Sequence, residues 1–145
     1  MVTLRPVEDD DLTAFFANQA DSASIDMAGV PARDPDAFAA HWARLRSDPQ
    51  IVLRTITVDG EVAGNVGCWP REGEQHLGYW LGQPFWGRGV MSTAVAAFLA
   101  EYSDRPLVAR VLPTNAASLR VLAKCGFVVT GTVQEDVEVV TLRLD

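Results

Sequence analysis

Short runs of β-branched and apolar residues alternate along the chain with stretches in which apolar positions recur every three or four residues. "VTLRPV" (residues 2–7) reads as a first strand. "EDDDLTAFFANQA" follows as a helix, with acidic residues in its first turn where the helix dipole favours them. Residues 21–34, "DSASIDMAGVPARD", carry no period and include Gly29 and Pro31, so they read as a loop. "DPDAFAAHWARLRSD" restores the helical spacing through Phe38, Trp42 and Leu45, and Pro49 stops it.

The middle of the chain is β-rich. "IVLRTITV" and "EVAGNVGCW" flank Asp59-Gly60, a two-residue hairpin signal, and "EQHLGYWLG" adds a third strand to the meander. A helix is predicted from about residue 89 to 102, then a strand "PLVARVL" and a helix "TNAASLRVLAKC" ending at Gly126, a C-cap position. "FVVTGT" and "VEVVTLRL" close the chain as strands. A meander followed by alternating helices and strands predicts a mixed-sheet α/β or α+β architecture. With no repeat, low-complexity tract or linker, residues 1–145 read as one domain.

Composition narrows the function classes. Of 145 residues, 48% are hydrophobic and 21% charged, an ordinary globular balance. A net charge of −7 argues against nucleic acid or an anionic membrane as partner, because both reward clustered basic residues. No window approaches the ~18 apolar residues of a membrane span, and "MVTLRPVEDDDL" lacks a signal-peptide core, so the expected compartment is the cytoplasm. Cys68 and Cys125 are too few for a disulfide framework and lack metal-ligand spacing, so no metal site is expected.

Two stretches carry candidate chemistry. In "PFWGRGVMSTAVAAFLAEY", Gly87 and Gly89 precede a helix N-terminus, whose unpaired N–H groups and dipole suit an anion. Arg88 adds a cation, and Ser92 and Thr93 add first-turn hydroxyls. The Gly-Lys-Ser/Thr ending of a Walker loop and the third glycine of a dinucleotide fingerprint are both absent. A glycine turn serving only close packing reads equally well from this stretch alone. In "NAASLRVLAKCGF", Asn115 and Ser118 share one face near a helix start. Read alone, that pair is a helix cap and a solvated serine.

Taken together, "LGYWLG", "WGRGVMSTA" and "NAASLRVLAKCGF", in that order, resemble the GNAT superfamily of acyl-CoA N-acyltransferases. More narrowly they are similar to its branch of ribosomal-protein N-terminal acetyltransferases. The layout resembles the family over residues 1–145, with the specific motifs between 74 and 131. The resemblance implies a mixed, mostly antiparallel sheet of about seven strands flanked by about four helices, with acetyl-CoA as co-substrate. Trp86, Gly87, Arg88, Gly89, Val90 and Met91 take the place of the family's pyrophosphate loop, and Ser92 follows them in the first turn. Trp86 stands where Gln or Arg is usual, and Met91 where a small residue is usual. Main-chain contacts to pantetheine are implied at Trp80, Leu81 and Gly82, with Asn115 bonding that arm and Ser118 near the thioester sulfur.

The family often places a Glu base two residues before the position of Gly78, and this chain has His76 there, with Glu74 as the nearest substitute. An ordinary histidine, with a pKa near ~6.5, accepts a proton at neutral pH. The Tyr acid found in many members is replaced by Leu122, which leaves Ser118 as a positioning group for the sulfur. Cys125 lies at a helix C-terminal end, where the dipole disfavours a thiolate, so no acyl-carrying nucleophile is expected. The expected reaction is acetyl transfer to a primary amine, a small molecule or a protein N-terminus, by direct attack in a ternary complex. The alternative is a coenzyme A-binding module without catalysis. Asp26, Asp34, Glu72 and Glu135 are acidic candidates for facing an amine, and a homodimer is compatible with the family.

Overall fold

A computed structural model describes residues 1–21 and 32–145. The loop reading of 21–34 and the candidate Asp26 fall largely or wholly outside the described residues. Seven strands form one sheet: β1 (Val2–Arg5), β2 (Val52–Val58), β3 (Glu61–Arg71), β4 (Glu74–Leu81), β5 (Leu107–Val111), β6 (Val128–Gln134) and β7 (Glu138–Leu144). Their order is β1-β2-β3-β4-β5-β7-β6, and every neighbouring pair is antiparallel except β4–β5. Four α-helices are described: α1 (Asp11–Ala20), α2 (Pro35–Ser47), α3 (Val90–Glu101) and α4 (Ala116–Lys124). The fold is the mixed, mostly antiparallel α/β architecture expected from the sequence.

Local chemistry explains the turns. Asp59 and Gly60 both have positive φ, 50° and 85°, as a two-residue primed turn requires. Gly126, at φ 97°, ends α4, with the Phe127 N–H donating back to the Leu122 carbonyl. Asp34 caps α2 by accepting from the Ala37 N–H at 2.8 Å. Asp34 is therefore a structural cap.

The sheet divides the apolar residues between two clusters, as side-chain alternation dictates. Leu77, Leu107, Ala109 and Leu142 lie in a main core with Val95 and Phe98 of α3 and Leu122 of α4. Phe15 of α1 and Phe38 and Trp42 of α2 form a smaller cluster backed by Leu53. Leu53 pairs with Gly67, and Gly67 with Gly78, which puts this cluster on the opposite face from Leu77.

Candidate active site

The site begins where the sheet opens. β4 and β5 pair only at Gln75–Leu107 and His76–Val108, and the edge of β4 is then unpaired from Leu77 onward. A cleft of about 610 Å³ occupies the opening, lined by β4 from Leu77 to Leu81, the start of α3 and the first turns of α4. That volume lies within the usual range for ligand pockets, about 300–1,000 Å³.

A short 3₁₀ turn (Gln83–Phe85) carries the chain from β4 to α3. Trp86 ties this loop down by donating its indole N–H to the Leu81 carbonyl at 2.8 Å. Gly87 and Gly89 follow with φ of 73° and 72°, conformations that disfavour side chains. A Cβ at either position would meet open space, so the requirement for glycine comes from the backbone and the space before it remains clear. Gly89 caps α3 without a side-chain bond, leaving the N–H groups of Val90, Met91 and Ser92 with no acceptor inside the helix. Met91 is only 7% exposed and sits in the main core, so its bulk does not stand in front of these amides. Arg88 lies over the Phe85 ring, 5.6 Å from its centroid, between the two glycines.

The strand end is already partly committed. The Gly82 N–H donates to the Ala63 carbonyl at 2.8 Å, and its carbonyl accepts from Phe85. Gly82 thus has no N–H left over for a ligand, and a Cβ there would come within 2.7 Å of Asn18 Oδ1. Trp80 and Leu81 line the cleft. Asn115 caps α4, its Oδ1 accepting from the Ser118 N–H at 3.1 Å, and both residues line the cleft.

His76 is 2% exposed and points to the other face of the sheet, with Gly78 and Trp80. Trp69, its antiparallel partner, stacks against its ring at 6.5 Å and lies over Gly78, where a Cβ would come within 2.3 Å of the indole. His76 Nε2 is buried with no hydrogen-bond partner. Burial, then the nearby cations Arg110 and Arg71, hold its pKa below the usual histidine value, so the ring is neutral near neutral pH. Glu74 is exposed, at the start of β4. Ser118 lines the cleft, whereas His76 lies buried just before the first cleft-lining residue of β4 and on the opposite face of the sheet.

Sequence reasoning missed two groups. Tyr79, on the same face as Leu77, hydrogen-bonds Ser118 Oγ through its hydroxyl, and strand alternation with Leu77 was the available signal. Arg110, at the cleft, bonds Glu135 at 2.5 Å and Glu72 at 3.0 Å, while Arg71 reaches Glu135 at 3.1 Å. Glu72 and Glu135, read as acids facing an amine, are thus already paired with arginines. Leu122 is fully buried, and burial pushes the Cys125 thiol up, away from thiolate character.

Comparison with known proteins places this geometry. No curated protein sequence matches the chain. Among solved structures, the fold is similar to spermidine N-acetyltransferase from Vibrio cholerae in complex with CoA and spermine, at 14% identity and a TM-score of 0.86, covering 99% of this chain and 94% of that one. It is also similar to aminoglycoside acetyltransferase AAC(6')-Ib in complex with coenzyme A, at 17% identity and a TM-score of 0.84, with the same coverage of 99% and 94%. An acetyltransferase of the GNAT family from Bacillus anthracis matches at 15% identity and a TM-score of 0.82, over 99% and 93% of the two chains. The family model described as an acetyltransferase (GNAT) domain matches residues 1–128, and the chain belongs to the GNAT acetyltransferase family.

Proposed function

We propose that this protein transfers an acetyl group from acetyl-CoA to a primary amine, with both substrates bound at once. The observation that carries the reading is the opening between β4 and β5 facing a glycine-capped helix start whose amides have no acceptor. Gly87, Gly89 and the N–H groups of Val90, Met91 and Ser92 form a cradle for the pyrophosphate, and Arg88 lends charge beside it. The open edge of β4 at Trp80 and Leu81 runs beside the pantetheine arm, with Asn115 and Ser118 across from it. Acetyl-CoA supplies the activated acyl group and a thiolate leaving group.

The amine enters from the face that carries His76. Neutral His76, with an unpartnered Nε2, takes the ammonium proton directly or through one water. Unpaired β4 amides beyond His76 donate to the developing charge on the carbonyl oxygen. Ser118 lies on the sulfur side. Exposed Glu74 lacks the burial that tunes His76, which favours His76 as the base. The acceptor is a small amine or a protein N-terminus, and the narrower likeness to ribosomal-protein acetyltransferases rests on the two motif blocks alone.

Mass spectrometry of an amine and peptide panel, with free thiol followed in parallel, tests the reading. The expected result is a singly acetylated acceptor with one thiol released per transfer. Binding of coenzyme A with no acetylation of any acceptor leaves only a binding module. Gly89→Asp puts a carboxylate at the cradle and should lower coenzyme A affinity at least tenfold in a folded protein. Unchanged affinity would remove the pyrophosphate assignment.

A further inference from the structure

Tyr79 is the cleft residue whose position the reaction above leaves unexplained. It projects from β4 just past the last residue pairing with β5, and its hydroxyl meets Ser118 Oγ across the cleft floor. The same hydroxyl lies 3.5 Å from the Ser118 backbone carbonyl. Ser118 is held from its other side by the Asn115 cap. Both side chains line the cleft, and the next inward position of the helix is the apolar Leu122.

We propose that Tyr79 is a positioning residue whose phenol donates to Ser118 Oγ and thereby aims the Ser118 hydroxyl proton at the thioester sulfur. The inference rests on the acetyl-CoA reading above. A hydroxyl donates one proton and accepts through two lone pairs. A phenol is the stronger donor of the two, and the Ser118 carbonyl lies at 3.5 Å, the outer limit for a bond, so the phenol proton is assigned to Ser118 Oγ rather than to that carbonyl. With its lone pair occupied, Ser118 has its own O–H to give, and the cleft lies before it.

Burial pushes the Tyr79 phenol up to about 12, partly offset because the Ser118 hydroxyl would turn and donate to a phenolate, so the neutral phenol persists at working pH. A thiol has an ordinary value near ~8.5, which makes proton transfer from Tyr79 to sulfur strongly uphill. Tyr79 therefore polarises and orients rather than supplying the proton. In the transfer, the amine nitrogen bonds to the carbonyl carbon and the carbon–sulfur bond breaks, leaving its electron pair on sulfur. The amine proton leaves on the His76 side. The Ser118 hydrogen bond holds the thiolate until solvent protonates it.

The test needs no acceptor. Coenzyme A bound to the protein is titrated by the ultraviolet absorbance of its thiolate, in wild type, Tyr79→Phe, Ser118→Ala and the double variant. Ser118→Ala should raise the bound thiol pKa by about one unit, the scale of a lost hydrogen bond to a charged group. Tyr79→Phe should raise it by part of that shift, and the double variant should match Ser118→Ala. A Tyr79→Phe complex that titrates as wild type, or a double variant whose shift is the sum of the two singles, overturns the proposal. If Tyr79→Phe fails to fold, 3-fluorotyrosine at position 79 keeps the shape and donates more strongly. The bound thiol pKa should then fall, and no change overturns the proposal. Failure of the wild-type protein to bind coenzyme A instead overturns the proposed function itself, and this inference with it.

Discussion

Two buried polar clusters flank the sheet, and they are finished differently. At the start of α1, Asp11 is 2% exposed and fully partnered. Arg5 grips both its oxygens at 2.7 and 2.8 Å, and the Glu8 N–H and Thr55 hydroxyl add bonds at 2.8 and 2.7 Å. Around the end of the β4–β5 pairing, His76 Nε2, Trp80 Nε1 and Arg110 Nε are equally hidden and have no partner, and Trp80 and Arg110 line the cleft. Buried polar groups are almost always satisfied in folded proteins, and an orphan costs about 1–3 kcal/mol. The contrast is between a polar cluster whose every oxygen is bonded and one that leaves single buried atoms without a partner.

Breaking the satisfied cluster should have the largest effect. Burial alone would raise the Asp11 carboxyl, but Arg5, the Glu8 amide and Thr55 outweigh it and hold its pKa at about 2. Asp11→Ala strands a half-buried Arg5 and a buried Thr55, and should cost about 3 kcal/mol in urea denaturation. Coenzyme A affinity should stay within about twofold of wild type, since additivity holds for distant sites. Because the folded-state carboxyl is depressed, this stabilisation is complete above pH ~4 and fades as pH falls toward about 2. A variant as stable as wild type at pH 7 would show that the cluster carries no net stability.

The opposite substitution sharpens the comparison. His76→Ala removes an unsatisfied group, so its stability cost should stay near that of a lost packed ring, without a polar penalty. Its effect belongs to catalysis: a positioned general base contributes about 10²–10⁴ in rate. Once an acceptor is in hand, kcat/KM for His76→Ala should fall at least 100-fold, with coenzyme A affinity unchanged. Full activity in this variant would return the base assignment to Glu74 or to a water held by backbone.

Legibility followed sequence distance. The Asp59-Gly60 turn and the Gly126 helix end were readable because each depends on a few adjacent residues, whereas Asp34, read as an acid facing an amine, turned out to cap α2. The glycine turn between strand and helix was readable too, since Gly87 and Gly89 lie beside the helix they open. The Tyr79–Ser118 contact joins residues 39 positions apart: alternation with Leu77 gives the face of Tyr79 but not its partner. Likewise, His76 is buried through Trp69 across the hairpin and Val108 on β5, neither of which the strand alone reveals. Glu72 and Glu135 read as acids free to face an amine because their partner Arg110 lies 38 and 25 residues away.

The smallest predicted effect is the pH dependence of stability at the unfinished cluster. The folded-state pKa of His76 lies below its ordinary value, with burial as the main cause. The unfolded chain therefore binds a proton near pH ~6.5 that the folded chain still refuses. Stability should be flat from pH 8 to about 7 and should fall as pH drops through the ordinary histidine range. His41, also depressed by burial and by Arg33 and Arg44, adds a change of the same sign. Urea midpoints from pH 7.5 to 5.5, compared between wild type and His76→Leu, isolate the share owed to His76: the variant should lose less stability over that interval. Identical slopes would mean that His76 accepts its proton in the folded protein as readily as in the unfolded chain, and the neutral, available base at the cleft would have to be abandoned.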